Sequence, residues 1–156
     1  AFTTVADLKL KLGNRAYEEF KKIIPSSSGK DVEIVKSEPY VLPEYYIGEG
    51  NNRYGEGAFS WLTGSADWLF IAATEWMLGA KPEYDGLRID PCIPSNWKKF
   101  RIKRLFRGDI YDIIISNPKG KEYGQVKLEV DGKKLDSNLI KPFKDGKVHT
   151  VKAEIV

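Results

Sequence analysis

The feature of this sequence that most constrains its fold is an apolar run from Trp68 to Leu78, interrupted by two polar residues. A helix that is apolar nearly all round needs neighbouring elements on several sides. The chain offers one other convincing helical region, residues 1–24, in which apolar residues recur at three- and four-residue steps. We therefore expect residues 1–80 to be the last helices of a larger helical domain that continues upstream.

Glycine, asparagine and proline mark the expected helix ends. The pair Gly13-Asn14 predicts a split of the first helical region in two, with Asn14 capping the second helix. The run Pro25-Ser-Ser-Ser-Gly29 predicts the end of that region. Periodicity predicts another helix over 58–78, followed by Gly79 as its C-cap. Between them, residues 30–57 lack a sustained period and predict a long irregular loop, which in a compact protein is usually functional.

A change of pattern near residues 80–86 marks the start of β structure. Apolar and polar residues then alternate in short runs separated by turn dipeptides, which predicts an antiparallel sandwich. The predicted fold class is α+β, with the helical part at 1–80 and the β-sandwich domain at 81–156. The expected strands are 86–90, 100–107, 110–115, 126–130, 139–140 and 148–155, with turns at Gly108-Asp109, Asp131-Gly132 and Asp145-Gly146.

Charge and cysteine content argue against several classes of protein. The net charge of +3 comes from interspersed Lys, Arg, Asp and Glu, so we expect neither a nucleic-acid nor a membrane partner. The longest apolar stretch is too short to span a bilayer. The single cysteine, Cys92, cannot form an internal disulfide and predicts a cytoplasmic location. Metal-ligand spacings, nucleotide-binding glycine motifs and Ser/His/Asp sets are absent from the sequence, so we expect no metal or cofactor.

The candidate functional site is the stretch Trp61-Leu-Thr63-Gly64-Ser65-Ala-Asp67-Trp68. A Thr-Gly-Ser turn that opens a helix directs backbone N–H groups and a hydroxyl toward one point, which favours an anion such as phosphate. The flanking indoles offer flat apolar faces of the kind that stack on sugar rings. The alternative is an ordinary helix start, with Ser60 or Thr63 as the cap.

Carboxylates near this turn could hold sugar hydroxyls or take part in glycosyl transfer. Glu44, between Pro43 and Tyr45-Tyr46, is the carboxylate that least resembles an ordinary solvated surface charge, so it is the strongest candidate of the set. The alternative for each carboxylate is a solvated loop charge or a helix-end group. The only histidine, His149, falls in a predicted strand and is expected to be structural or exposed. The carboxylates concerned are Glu38, Glu44, Glu49, Glu56 and Asp67.

Several motifs together resemble the carboxyl-terminal part of glycoside hydrolase family 94, the cellobiose, cellodextrin and chitobiose phosphorylases formerly placed in glycosyltransferase family 36. The likeness covers nearly the whole chain, and its longest motif is the run from Tyr84 to Pro94. The motifs are Gly13-Asn-Arg-Ala-Tyr17, Glu38-Pro-Tyr-Val41, Gly55-Glu-Gly57, Ser60 to Trp68, Trp76-Met-Leu-Gly79, Tyr84-Asp-Gly-Leu-Arg-Ile-Asp-Pro-Cys-Ile-Pro94, Phe106-Arg-Gly-Asp109, Asn117-Pro118 and Asp131-Gly-Lys133.

The resemblance implies the last helices of an (α/α)6 barrel followed by a β-sandwich. It also implies inverting phosphorolysis, in which phosphate attacks the anomeric carbon of a β-linked glucoside while an Asp protonates the leaving oxygen. Carried over by motif, Thr63 and Gly64 bind phosphate. Glu44 stands where cellobiose and chitobiose phosphorylases carry a Gln that contacts the non-reducing sugar, so the substrate is open. The catalytic Asp, its neighbouring Trp, and the phosphate-binding Arg and His are expected upstream of Ala1, and the chain alone is expected to be inactive.

The expected partners are therefore a β-linked di- or oligosaccharide, inorganic phosphate as co-substrate and the rest of the barrel, with a homodimer kept open. Two alternatives remain. One is a hydrolase on a related helical barrel, with Glu44 or Glu56 as a base for water. The other is a non-catalytic carbohydrate-binding β-module, for which the two helical regions would be superfluous.

Overall fold

The computed structural model describes residues 1–24 and 31–156. It is a mixed helix-and-sheet structure, as the predicted α+β class requires. Within the described residues, no helix combines the length and apolar character needed to cross a membrane. The helices are α1 (Phe2–Lys9), α2 (Gly13–Ile23), α3 (Val32–Val35) and α4 (Ser65–Ile71), and a π-helical segment (Ala72–Met77) continues α4.

The predicted split of the first helical region is confirmed, but Asn14 does not cap α2. The N-cap position belongs to Leu12, and no side chain caps that helix end. The side chain of Asn14 instead accepts the backbone N–H of Ser95 at 2.9 Å. The reason is tertiary: α2 begins against the loop that contains Ile93, whose carbonyl oxygen would lie 2.4 Å from a Cβ on Gly13. The predicted stop at 25–29 lies outside the described residues.

The prediction of one helix over 58–78 is wrong at its start. Residues Gly57–Ser60 form strand β2, which pairs antiparallel with β1 (Pro43–Tyr46), so the predicted loop 30–57 contains a strand and α3. Phe59 and Trp61 have φ of 53° and 71°, outside the range of a right-handed helix. Pairing with β1, the other strand of the same hairpin, overrides the local helical period here, and the helix begins only at Ser65.

The β part contains two further sheets. In the five-stranded sheet, alternate residues of β6, β7 and β10 are buried, so one face forms the core. The second sheet has the order β3-β4-β9. The strands are β3 (Ala80–Pro82), β4 (Leu87–Ile89), β5 (Lys99–Phe106), β6 (Asp109–Ser116), β7 (Val126–Val130), β8 (Lys133–Leu135), β9 (Leu139–Ile140) and β10 (Val148–Ile155).

The five-stranded sheet is not wholly antiparallel. Its order is β5-β6-β10-β7-β8, and β10 runs parallel to β6, with Val148 opposite Ile110 and Glu154 opposite Ser116. The other pairings described are antiparallel, as predicted. Alternation along a strand gives its buried face but not the direction of its neighbour, so the sequence could not reveal the parallel pair.

The β5–β6 hairpin turn lies one residue earlier than predicted. Phe106 pairs with Asp109, so the two turn residues are Arg107 and Gly108, both with positive φ. Asp109 is the buried first residue of β6. Its carboxylate accepts the backbone N–H groups of the loop around Asp145, which fixes it inside the sheet.

The helical and β parts share one buried core. Side chains of α1, α2 and the π-helical segment belong to the same apolar cluster as those of β4, β6 and β10. The crossing between the parts is tight: Gly79 has a φ of +76°, and a Cβ there would lie 2.2 Å from the nitrogen of Pro91. Lys11 forms an ion pair with Asp90 at 3.2 Å across the same junction. The predicted C-cap at Gly79 is consistent with this left-handed conformation.

Candidate functional site

The Thr63-Gly64 turn opens a helix, as the sequence predicts. Gly64 is the N-cap of α4, and the amide of Trp68 donates to its carbonyl at 3.2 Å. The hydroxyl oxygen of Thr63 accepts the amide of Ser65 at 3.1 Å and donates to the Ser65 hydroxyl at 3.0 Å. Thr63 thus closes the turn locally, and its hydroxyl must rotate away from Ser65 to donate to a bound anion.

Three backbone donors remain at this helix start. In an α-helix the first four N–H groups have no acceptor within the helix. Here the Ser65 amide uses Thr63, which leaves the amides of Gly64, Ala66 and Asp67 without an acceptor in the helix. The carboxylate of Asp67 lies in the same first turn, where it favours the helix dipole but repels an anion. The turn presents backbone donors of the kind that an anion can accept from, and a carboxylate lies beside them.

Glu44 lies on β1 and is exposed to solvent. The β1–β2 pairing places Pro43 opposite Ser60, at the open end of the hairpin. Glu44 is one residue from that end, and Thr63 follows three residues after Ser60. The hairpin therefore ties Glu44 to the segment that leads into the Thr63-Gly64 turn. The neighbouring ring of Tyr45 packs edge-on against Phe59, with centroids 6.0 Å apart.

A groove of about 570 Å³ lies beside the turn, a volume in the range of small-molecule sites. The two indoles that flank the turn in sequence are separated by the structure. Trp61 lines this groove, whereas Trp68 packs against Phe2 with ring centroids 5.1 Å apart. Apolar side chains of α2 and α4 form much of the groove wall, and its polar or aromatic lining residues include Tyr40, Trp61, Thr63 and Asp67.

Trp61 is anchored although its side chain is exposed. Its indole N–H donates to the carboxylate of Glu38 at 3.0 Å, and Tyr40 packs edge-on against it at 6.2 Å. The hydrogen bond from Trp61 is the main cause that lowers the pKa of Glu38, so this carboxylate is ionised at neutral pH. Sequence reasoning missed Tyr40 as a groove residue. The only signal was its place in the Glu38-Pro-Tyr-Val motif, which indicated no contact.

The five predicted carboxylates do not form one cluster. Glu38 is bound to Trp61, Glu56 pairs with Arg53 at 2.7 Å, and Asp67 lies in the first turn of α4. Glu49 lies in the exposed connection of the β1–β2 hairpin. The Glu56 carboxylate is engaged by Arg53, so this contact does not favour it as the residue that activates water in the hydrolase alternative.

His149 is structural, as predicted, and is 5 % exposed. Its ring stacks on Phe143 at 3.9 Å, and its nitrogens lie 2.7 Å from Asp131 and 3.1 Å from Asp145. Burial alone lowers the pKa of His149, but the hydrogen bonds and charges of the two carboxylates outweigh it and raise the pKa. Sequence spacing did not suggest this cluster, because Asp131 and His149 are 18 positions apart in the chain.

The cluster also brings Asp109 near His149 and Asp145. Each of the three residues offers one atom that could bind a metal ion, and these three atoms lie within 4.8 Å of one another. The Asp109 carboxylate accepts the amides of Lys144, Asp145 and Gly146 at 2.7–3.0 Å. These lone pairs are therefore used in holding the loop that follows β9. Cys92 is buried, and burial raises the pKa of its thiol to about 11, so it is a core residue rather than a nucleophile.

Comparison with known proteins places the chain in a family. Residues 1–79 match the model of the glycosyl hydrolase 94 superfamily, catalytic domain, and residues 81–136 match the glycosyl hydrolase family 65, C-terminal domain. The chain is 40 % identical over 154 residues to solabiose phosphorylase of Paenibacillus borealis, covering 99 % of the chain and 20 % of that protein.

Two further relatives are also phosphorylases. N,N'-diacetylchitobiose phosphorylase of Vibrio furnissii is 33 % identical over 138 residues, which is 88 % of the chain and 17 % of that protein. A 3-O-beta-D-glucopyranosyl-beta-D-glucuronide phosphorylase of Paenibacillus borealis is 28 % identical over 155 residues, 99 % of the chain and 20 % of that protein. The chain spans about a fifth of the length of these relatives. With a matching catalytic-domain model over half its length, the chain belongs to the glycosyl hydrolase 94 superfamily.

Proposed function

We propose that this chain is the carboxyl-terminal part of an inverting β-glycoside phosphorylase. The observation that carries the proposal is its 40 % identity, over 99 % of its length, to solabiose phosphorylase. Within the chain, the turn at Thr63 and Gly64 is proposed to contribute to phosphate binding, supported by its position at a helix N-terminus. The site residues rest on motif correspondence and on this local geometry.

In the proposed reaction, an oxygen of inorganic phosphate forms a bond to the anomeric carbon while the glycosidic bond breaks. A carboxylic acid donates its proton to the leaving oxygen, so the products are a sugar 1-phosphate of inverted configuration and a shortened acceptor. Phosphate already carries negative charge and needs no general base, unlike the water of an inverting hydrolase. The proton donor is proposed to come from the preceding part of the catalytic domain, so the chain alone should be inactive.

Glu44 is proposed to bind the sugar transferred to phosphate. The exposed carboxylate of Glu44 can accept hydrogen bonds from two sugar hydroxyls. The Gln that other family members are expected to carry here can accept from one hydroxyl and donate to another. The replacement therefore changes which hydroxyl pattern is preferred. A substrate different from that of the Gln-bearing enzymes is the expected consequence.

The rest of a helical barrel is the proposed partner of residues 1–80. Large apolar side chains are exposed on this part although α1 and α4 contribute to the core. Exposed apolar area of this extent is typical of a surface that another element covers. The barrel, the sandwich, the domain boundary near residue 80, a homodimer and a cytoplasmic location remain predictions. The exposed side chains include Phe2, Leu10 and Leu62.

The test uses the whole protein that contains this chain. Solabiose and N,N'-diacetylchitobiose are incubated with and without inorganic phosphate, and the products are separated by ion-exchange chromatography. Phosphate-dependent release of sugar 1-phosphate supports the proposal. Release of free sugars at the same rate without phosphate would instead establish the hydrolase. Sugar binding with no turnover under either condition would favour the binding module.

A further inference from the structure

We infer that Trp61 is the aromatic wall against which the sugar ring of the glycoside packs, and that Glu38 and Tyr40 position its indole. The inference rests on the proposed function, because it assumes that a glycoside enters the groove beside Thr63. It adds a specificity-determining contact to that site, and it concerns the side chains of the groove rather than the phosphate-binding turn.

The first support is the unusual state of Trp61, which is exposed yet held. The residue is 68 % exposed, whereas Trp76 and Trp97 pack against the core. An exposed indole with no anchor would sample several rotamers and lose entropy on binding. Here the hydrogen bond to Glu38 at 3.0 Å and the edge contact with Tyr40 at 6.2 Å restrict the ring before any ligand arrives.

The strength of the anchor comes from charge. Glu38 is ionised at neutral pH, because hydrogen bonding to the indole N–H and, to a smaller extent, to its own backbone lowers its pKa. A hydrogen bond to an ionised acceptor is shorter and stronger than one between neutral groups. The ordinary role of such a pair would be to stabilise the fold, and the melting temperature of the variants separates that role from contact with a sugar.

The second support is the composition of the groove. Trp61 and Thr63 line the same groove, together with Tyr40 and Asp67. A pyranose ring presents C–H groups on its faces and hydroxyls at its edge. An aromatic face suits the C–H groups, and hydroxyl or carboxylate side chains suit the edge. The groove volume of about 570 Å³ lies within the range of small-ligand sites.

The experiment measures steady-state kinetics of the whole protein, varying solabiose and phosphate separately. For Trp61→Ala we expect the KM for the disaccharide to rise about tenfold or more, with the KM for phosphate changed by less than about twofold. Trp61→Phe retains an aromatic face but loses the bond to Glu38, so a rise of about threefold is expected. Tyr84→Ala is the control, because it removes an exposed aromatic ring from the β part.

The role of Glu38 is tested by two substitutions. Glu38→Gln keeps an acceptor for the indole N–H and should leave the KM for the disaccharide within about twofold. Glu38→Ala removes the acceptor and should match Trp61→Phe. If Glu38 instead contacts the sugar directly through its charge, Glu38→Gln will be as damaging as Glu38→Ala, and the positioning role is overturned.

Two results would overturn the role of Trp61. One is an unchanged KM for the disaccharide in Trp61→Ala. The other is an equal rise of both KM values together with a lower melting temperature, as expected for a structural residue. If the wild-type protein shows no need for phosphate, the proposed function fails by itself. In that case calorimetric binding of the disaccharide decides the role of Trp61: weaker binding to Trp61→Ala than to Tyr84→Ala supports it, and equal binding rejects it.

Discussion

The side-chain oxygen of Asn14, at the start of α2, accepts the backbone N–H of Ser95 in the β part at 2.9 Å, across 81 positions of sequence. The backbone N–H of Asn14 donates to Glu122 at 2.8 Å. Through this one residue, the helical part is hydrogen-bonded to two loops of the β part. The two segments that match separate family models therefore meet in a specific polar junction as well as in a shared core.

Replacing Asn14 should weaken this junction. Asn14→Ala removes the acceptor of the Ser95 amide and hydroxyl and should lower the free energy of unfolding by about 1 kcal/mol. Asn52→Ala, at an exposed position of the β1–β2 connection, is the matched control and should have little effect. Urea unfolding followed by tryptophan fluorescence measures both. Equal losses in the two variants would contradict a specific role for Asn14.

A methyl group at Gly79 should destabilise the chain strongly. The residue needs a φ of +76°, and its Cβ would lie 2.2 Å from the Pro91 nitrogen, so we expect Gly79→Ala to cost about 2–5 kcal/mol. Gly132 also has a positive φ, of +82°, but a Cβ at this position would have no atom within 4 Å, so Gly132→Ala isolates the backbone cost of about 1 kcal/mol. Denaturant midpoints compare the stability of the two variants. A loss of stability in Gly79→Ala no larger than in Gly132→Ala would show that a methyl group fits at the junction without a clash.

Stability should fall as the pH rises above neutrality because of His149. Its pKa is raised in the folded state, so its contribution is complete below the unfolded value near 6.5 and is lost as the pH passes through the higher folded value. The pKa values of Asp131 and Asp145 are lowered in the folded state. These two carboxylates therefore change the free energy of unfolding only at acidic pH, outside the range tested for His149. Urea unfolding of the chain from pH 6 to about pH 9 checks this. Since His149 is the only histidine, His149→Asn should flatten the curve around neutrality.

Cys92 should resist alkylation in the folded chain. Burial raises the pKa of its thiol to about 11, so very little thiolate exists at about pH 8, and the side chain is also inaccessible. Treatment with iodoacetamide followed by mass spectrometry should show no modification under native conditions and complete modification in urea. Rapid labelling without denaturant would mean that the junction between the two parts opens readily.

Thr63 should matter for phosphate in the whole protein. Thr63→Ala removes the hydroxyl and should raise the KM for phosphate or lower kcat/KM by about 5- to 150-fold, equivalent to about 1–3 kcal/mol for a hydrogen bond to a charged group. Thr63→Ser keeps the hydroxyl and should remain close to wild type. The same variants should not change the KM for the disaccharide, which separates this turn from Trp61. An unchanged phosphate dependence in Thr63→Ala would remove the turn from the site.

For the candidate site, the sequence located the segment but not its arrangement. The Thr-Gly-Ser turn was visible because glycine and hydroxyl residues have strong local preferences at helix starts. The contact between Trp61 and Glu38 was not visible, because it spans 23 positions and depends on how the β1–β2 hairpin turns the chain back. The sequence also did not predict that Trp61 lines the groove while Trp68 packs against Phe2, since both indoles flank the same turn in sequence.

Local patterns in the chain were sufficient to predict the class of the fold and the family likeness. They also predicted several elements, including β10 at Val148–Ile155 and the turn at Asp131-Gly132. Such elements follow from alternation and turn preference within a few residues. Three outcomes emerged only once the chain was folded: β10 runs parallel to β6, residues 57–60 pair with β1 instead of entering a helix, and Asn14 joins two parts instead of capping one. Those outcomes depend on partners far away along the chain, and for such partners a local pattern carries no information.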